Sequence, residues 1–268
     1  MKDICILGAG GFVGTNLARF FGARAYGLTH RELDLLDQAA VDAFFFDKTF
    51  KAVFHCAVRG GSRLCTDQAD VFHDNLRMFE TVAKHTRKFE KLLYFSSGTR
   101  FDRTSADVHS IPADFYGFSK YVLEQRAASI ANAYVLRIYG CFGAGESSTR
   151  FLSVCVREKY VKIAQDRYFD FIWIDDLCKV AAHAANAPSA QFPKVLNLVY
   201  AEKVKLSQLA ELAGARYEIE SAELGLSYTG TYSDVLHDSG LRVGIASLAS
   251  KFSREHDLES ALEDARQH

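Results

Sequence analysis

The segment YGFSK, residues 116–120, sets a phenol one helical turn ahead of an ammonium. A tyrosine has an unperturbed pKa of about 10, and a cation on the same helix face favours its phenolate. Tyr116 and Lys120 could therefore move a proton to or from a carbonyl oxygen near neutral pH. A chain with twelve tyrosines also meets so short a pair by chance, on an ordinary solvated helix. The rest of the sequence has to decide between the two.

The second stretch with chemical potential is GAGGFVG, directly after the apolar run ICIL, with Gly8, Gly11 and Gly14 at successive spacings of three. A tight strand-to-helix turn needs residues without side chains, both to turn and to let backbone N–H groups approach a pyrophosphate at the helix N-terminus. The pattern predicts dinucleotide binding. At the end of the next strand an acidic residue would hydrogen-bond the ribose of NAD. The sequence there reads GLTHR. Thr29, His30 and Arg31 offer a hydroxyl, an imidazole and a fixed cation, which suits the 2′-phosphate of NADP. Glu32 follows at once and opposes that charge, and Arg31 could instead be a solvated turn residue.

These residues need a scaffold, and the chain's patterning supplies one. Short apolar runs (DICIL, ARAYGL, KAVFHCA, KLLYFSS, AYVLRIY and KVLNLVY) alternate with helical periods near residues 12–22, 37–46, 66–88 and 114–131. Such alternation predicts an α/β fold, a doubly wound parallel sheet of Rossmann type covered by helices. The expected organisation is a nucleotide-binding domain over 1–140, to which later segments return, and a smaller substrate-binding lobe over 141–268. The terminal DLESALEDARQH reads as a solvated amphipathic helix.

With 49% hydrophobic and 24% charged residues the composition is that of an ordinary soluble protein. A formal net charge of -1 gives no electrostatic case for nucleic acid or an anionic membrane as the partner. The opening apolar run is too short for a signal peptide core or a membrane span, so the expectation is cytoplasmic. Six scattered cysteines show no CxxC or metal-ligand spacing, which predicts buried thiols and no metal.

Taken in order, GAGGFVG, DLLD, VFHCA, Asn75 in DNLRMFETV, YFSSG, YGFSK, VLRIYGCFG and FDFIWIDDL make the chain resemble the extended short-chain dehydrogenase/reductase family, the NAD(P)-dependent sugar-nucleotide epimerases, dehydratases and reductases. Within it, THRELDLLD and HCAVRGG look most like GDP-fucose synthase and related reductases of 4-keto sugar nucleotides. The resemblance implies Tyr116 as catalytic acid or base, Lys120 as its partner and holder of the nicotinamide ribose, and Ser97 as donor to the substrate carbonyl. It implies cofactor contacts at Gly8, Gly11, Phe12, Val13 and Gly14, at Asp34 and Leu35 beside the adenine, and at Cys56 and Ala57 beneath the cofactor. The last two pairs could equally be structural. A homodimer through helices flanking the active site is also implied.

Departures from the family pattern narrow the chemistry. Dehydratases carry an Asp-Glu pair after the serine, whereas this chain has Gly98 and Thr99. Elimination would lack its acid and base. Relatives that epimerise beside the ketone place a cysteine where Thr99 stands, and a hydroxyl is too weak an acid to replace it. Gly140 replaces a frequent asparagine and Phe101 a frequent tyrosine, so the sugar pocket is altered. Arg150 lies in the stretch that borders the nucleotide diphosphate in relatives, where it could clamp phosphate or remain solvated. The expected activity is NADPH-dependent reduction of a 4-keto sugar nucleotide, with NAD possible. The alternatives are an NAD-dependent sugar-nucleotide 4-epimerase and a non-catalytic NADP-binding regulatory protein.

Overall fold

Six strands pair in the order β2-β1-β3-β4-β5-β9, in a computed structural model that describes residues 2–62, 64–101 and 110–238. They are β1 (Ile4–Leu7), β2 (Ala25–Leu28), β3 (Phe50–His55), β4 (Phe89–Ser97), β5 (Ala133–Ile138) and β9 (Val195–Leu198). The five pairing runs of the first 140 residues join in parallel register, from Ile4 opposite Ala25 and Ala52 to Ser97 opposite Ile138. All four residues of β1 are buried, as a parallel sheet covered on both faces requires. The segment expected to form a C-terminal amphipathic helix lies outside the described residues.

Helices α1 (Phe12–Phe21), α2 (Gln38–Phe45), α3 (Ala69–Ala83) and α4 (Phe115–Ala128) connect successive strands, close to the spans their periodicity predicts. The chain leaves β1 for the edge strand β2, then returns across β1 to β3. The order therefore reverses between β1 and β3, and at such a switch point an open α/β sheet leaves a crevice at its carboxyl end. Asp37 caps α2 by accepting from the Ala40 N–H, and Asp114 caps α4 by accepting from the Gly117 N–H at 2.7 Å.

One face of the sheet packs on α2, α3 and α4 through Cys5, Leu7, Val53, Phe79, Leu92, Tyr94 and Leu123. Helices α3 and α4 are joined by a Phe72–Phe118 stack with centroids 5.0 Å apart. A bond from Asn75 Nδ2 to Ser119 Oγ, at 3.1 Å, adds a buried polar tie. These contacts set the height of YGFSK relative to the end of β4.

The chain falls into two units, one of residues up to Ile138 with Cys178–Asn197, the other of Tyr139–Leu177 with residues from Leu198 onward. Helix α6 (Ile174–Asn186) begins in the second and continues in the first. The second unit holds β6 (Cys141–Phe142) parallel to β8 (Ile172–Trp173), and β7 (Tyr160–Gln165) parallel to β10 (Arg216–Ser221), with α5 (Phe151–Glu158) and α7 (Leu206–Leu212). Phe169 anchors its aromatic core, 4.7 Å from the centroids of both Phe171 and Tyr228. No helix among the described residues is long and apolar enough to cross a membrane.

The tightest joint in the first unit is the glycine turn. A Cβ on Gly14 would lie 2.9 Å from Ala9 Cα and closer still to the Gly8 carbonyl, both backbone atoms that cannot swing away. Gly14→Ala is expected to cost about 1–3 kcal/mol through overpacking. In urea denaturation this should appear as a lower midpoint with an unchanged slope.

Candidate active site

Gly8 sits at φ +85°, and a Cβ there would stand 2.6 Å from the Ala57 backbone nitrogen. The missing side chain thus lets the turn after β1 lie against the end of β3, fixed by Gly8 and Ala9 N–H bonds to the Leu28 carbonyl, each 2.9 Å. At Gly11, the residue before α1, an added methyl would find its nearest protein atom 3.6 Å away, so nothing in the protein demands glycine there. Both glycines line a cavity of about 810 Å³ over the carboxyl ends of β1, β2 and β3. Its volume and position at the start of α1 fit a dinucleotide whose phosphates approach bare backbone.

Of the residues expected to meet a cofactor, Gly8, Gly11, Thr29, His30, Arg31, Asp34, Leu35, Cys56 and Ala57 line this cavity. Phe12, Val13, Gly14, Tyr116 and Lys120 do not; Gly14 has the packing role described above. Cys56 forms part of the wall, and burial pushes its thiol well above its ordinary pKa, so it stays uncharged. Val58, Arg59 and Met78 are among the lining residues that the sequence reading did not name. The first two directly follow VFHCA at the strand's end, where a ligand-facing loop is expected in an open sheet, and that position was the available signal.

The end of β2 is arranged differently from its sequence reading in one respect. The Glu32 carboxylate turns back to accept from the Thr29 N–H at 2.8 Å and from the Thr29 hydroxyl at 2.9 Å. These two bonds hold the Glu32 carboxyl below its ordinary pKa. The Thr29 hydroxyl proton is therefore committed to Glu32, whereas His30 and Arg31 stay exposed. No carboxylate among the described residues pairs with Arg31, which is exposed at the cavity rim. The DLLD segment is tied down by bonds from Thr81 Oγ1 to the Leu35 carbonyl (2.8 Å) and from Arg77 to the Leu36 carbonyl (3.0 Å).

Tyr116, in the first turn of α4, is half-buried, while Lys120 is 4% exposed. The Lys120 ammonium stands 5.6 Å from the Tyr116 ring centroid and donates to the Phe95 carbonyl of β4 at 2.9 Å. Burial pulls its pKa down to about 7, and the Glu124 carboxylate one turn on opposes that fall. Glu124 is itself held by Arg137 at 2.9 and 2.7 Å and by Arg100 at 3.2 Å. Ser97 ends β4 and accepts from the Thr99 N–H at 3.2 Å, so its own hydroxyl proton is not used in that bond. The Thr99 hydroxyl is buried with no hydrogen-bond partner among the described residues.

A further participant was not anticipated. Gly61, at φ +76°, lies so close to the Tyr116 ring that a Cβ would be 2.9 Å from it. Asp67 accepts from the Gly61 N–H at 2.9 Å and holds this loop in place. The sequence signal was the pair of glycines after Arg59, which marks a loop able to adopt left-handed backbone.

The altered positions have packing explanations. A Cβ at Gly140 would stand 2.5 Å from the Phe171 ring, which fills the space an asparagine would need. Phe101 offers its ring to two guanidinium groups, Arg100 at 4.4 Å and Arg137 at 4.9 Å. Arg150 belongs to the second unit, before α5, and pairs with Glu146 at 3.5 Å, so part of its charge is already engaged.

Residues 4–198 match the family model described as the NAD-dependent epimerase/dehydratase family, and the chain belongs to that family. Among solved structures it is similar to a GDP-mannoheptose C4 reductase from Campylobacter jejuni with NADP bound, at 18% identity and TM-score 0.76, covering 95% of this chain and 98% of that one. It is also similar to a dTDP-4-dehydrorhamnose reductase from Clostridium acetobutylicum, at 16% identity and TM-score 0.73 over 93% and 98% of the two chains. A third similar structure is MoeE5 in complex with UDP-glucuronic acid and NAD, with 20% identity, TM-score 0.67 and coverage of 94% and 99%. No curated protein sequence matches the chain.

Beneath the Tyr116 and Lys120 pair, β3 contributes a buried histidine. His55 Nε2 faces the Met78 carbonyl at 3.3 Å, and Nδ1 has no hydrogen-bond partner among the described residues. Burial pulls its pKa down to about 4, and the nearby Lys120 charge pushes the same way. The unfolded chain therefore takes up a proton below about pH 6.5 that the folded protein refuses until about pH 4. Stability from this group is complete above pH 6.5 and falls across that window, by on the order of 3 kcal/mol. Denaturant unfolding at pH 4.5 and pH 7 should show a smaller pH difference for His55→Leu than for the parent; an equal difference would remove the assignment.

Proposed function

We propose that the protein is an NADPH-dependent oxidoreductase that reduces the ketone of a 4-keto sugar nucleotide. Family membership alone spans epimerases, dehydratases and reductases. The observation that supports the choice is the end of β4, where Ser97 and Thr99 bring hydroxyls and no carboxylate pair, on the strand whose Phe95 carbonyl accepts the buried Lys120 ammonium. A site of this kind can polarise and protonate a carbonyl oxygen, and it lacks the paired groups that elimination needs.

The residues fit a nicotinamide dinucleotide. Gly8 and Gly11 would admit its pyrophosphate, Arg31 and His30 would meet a 2′-phosphate, and Lys120 would hold the nicotinamide ribose. When bound, the cofactor supplies the hydride. Ser97 orients the ketone by donating to its oxygen, and Tyr116 gives that oxygen its proton. Lys120, charged below about pH 7, lowers the cost of the phenolate left behind. Gly61 keeps the phenol ring from tilting away.

A second reading is an NAD-dependent sugar-nucleotide 4-epimerase, favoured by the Glu32 carboxylate at the end of β2. A protein that purifies saturated with NAD and ignores added NADPH would support it. In our reading the second unit supplies the sugar-nucleotide pocket, with Arg150 near the diphosphate. A homodimer through α3 and α4 and a cytoplasmic setting complete the proposal; light scattering tests the first.

The direct experiment is a screen of 4-keto sugar nucleotides with NADPH, following loss of nicotinamide absorbance and assigning the product by NMR. Tyr116→Phe is expected to lower turnover by about 10²- to 10⁴-fold with NADPH affinity nearly unchanged. Undiminished turnover would sink the assigned role. Arg31→Asp should move the ratio of NADPH to NADH efficiency toward NADH by about tenfold or more, the worth of a charge-assisted bond. An unmoved ratio would count against phosphate recognition there.

A further inference from the structure

Lys120 is placed by more than its hydrogen bond. Its ammonium lies over the ring of Tyr94 at 4.8 Å from the centroid, nearer than the 5.6 Å that separates it from the ring of Tyr116. Tyr94 lies in the middle of β4, one residue before the carbonyl of Phe95 that accepts the same ammonium. One strand thus offers Lys120 both a carbonyl oxygen and an aromatic face.

We propose that Tyr94 is a positioning residue for Lys120, its ring face holding the buried ammonium in reach of Tyr116. The inference rests on the reading of Tyr116 and Lys120 as the proton-transfer pair.

Two observations separate this role from simple core filling. The Tyr94 ring is itself fixed, edge-on to Phe79 with centroids at 5.2 Å and to His55 at 5.8 Å, so it cannot move to follow the lysine. Its hydroxyl is buried with no hydrogen-bond partner among the described residues, so the phenol group is not retained for a bond of its own. What remains for Tyr94 to contribute is the ring. A desolvated cation over such a face is held by the ring's quadrupole, where water cannot compensate.

The groups facing Lys120 are Tyr116 and Glu124 on its own helix, Tyr94 on β4, and His55 and Cys56 at the end of β3. His55 and Cys56 are uncharged at neutral pH because burial disfavours their ionised forms. Glu124 is shared with Arg137 and Arg100, so its carboxylate is only partly available. Removing the Tyr94 ring therefore leaves the ammonium with less to hold its proton. Lys120 is charged at low pH and loses its charge as pH rises through about 7, so the loss should begin at lower pH in such a variant.

The test is the titration of Lys120 by NMR in protein labelled with [ε-¹³C]lysine, the resonance being assigned by its disappearance in Lys120→Met. Tyr94→Leu is expected to lower the midpoint by about 1.5 pH units, the size of a desolvated cation–π contact, while Tyr94→Phe leaves it in place. If Tyr94→Leu fails to fold, phenylalanine at position 94 with increasing ring fluorination keeps the shape while weakening the face, and the midpoint should fall stepwise. A midpoint that is the same with phenylalanine, its fluorinated forms and leucine overturns the proposal. In the reductase assay, the alkaline limb of kcat should move down with the midpoint while KM for the sugar nucleotide stays constant; a limb that stays put while the midpoint moves overturns the link to Tyr116. Should no sugar nucleotide be reduced, the NMR shift still decides for or against Tyr94, and only the functional reading falls.

Discussion

A lysine ammonium carried to the end of β4 must be compensated there or give up its proton, because a buried charge without partners costs several kcal/mol. The first unit is built around that requirement. A backbone carbonyl, two tyrosine rings and a carboxylate converge on Lys120 from β4 and α4. Their positions follow from the contacts that dock α4 on α3, above all the Asn75–Ser119 bond and the Phe72–Phe118 stack. If α4 slid along the sheet, the ammonium would lose its partners, so the chemistry and the packing share one set of constraints.

The cofactor end obeys a different logic. There the chain withholds side chains, and backbone approaches backbone: Gly8 against Ala57, Gly14 against Gly8. The result is a rigid rim around an open cavity, with an exposed arginine at one edge and an uncharged thiol in the wall. Polar groups that might confuse recognition are paired internally, as Glu32 is with Thr29. Rigid placement of a few exposed groups is what lets binding energy go into orientation rather than into ordering the loop.

Much of this was legible in the sequence because the signals were local. Six apolar runs became the six strands of the main sheet, since a strand buried on both faces must be apolar throughout. The glycine turn and the Tyr116–Lys120 spacing were readable for the same reason: the geometry they need lies within one turn of chain. The strand order was not, because nothing in a run such as KAVFHCA says which neighbour it will pair with. Two-residue strands such as β6 and β8 are too short to carry a period. His55 and Tyr94 were hidden inside apolar runs, where a polar ring looks like one more core residue until its neighbours are known. The direction of the Thr29 hydroxyl was equally out of reach, since a side-chain bond to Glu32 has no signature beyond proximity.

Phe171 occupies the space that any side chain at position 140 would have to enter. The two positions are thirty-one residues apart, yet they are not free to vary independently. A lineage that places an amide at position 140 must already have a smaller residue at position 171, or pass through an intermediate with a disrupted second unit. Divergence there would proceed by paired exchange, because a side chain at position 140 alone meets the Phe171 ring.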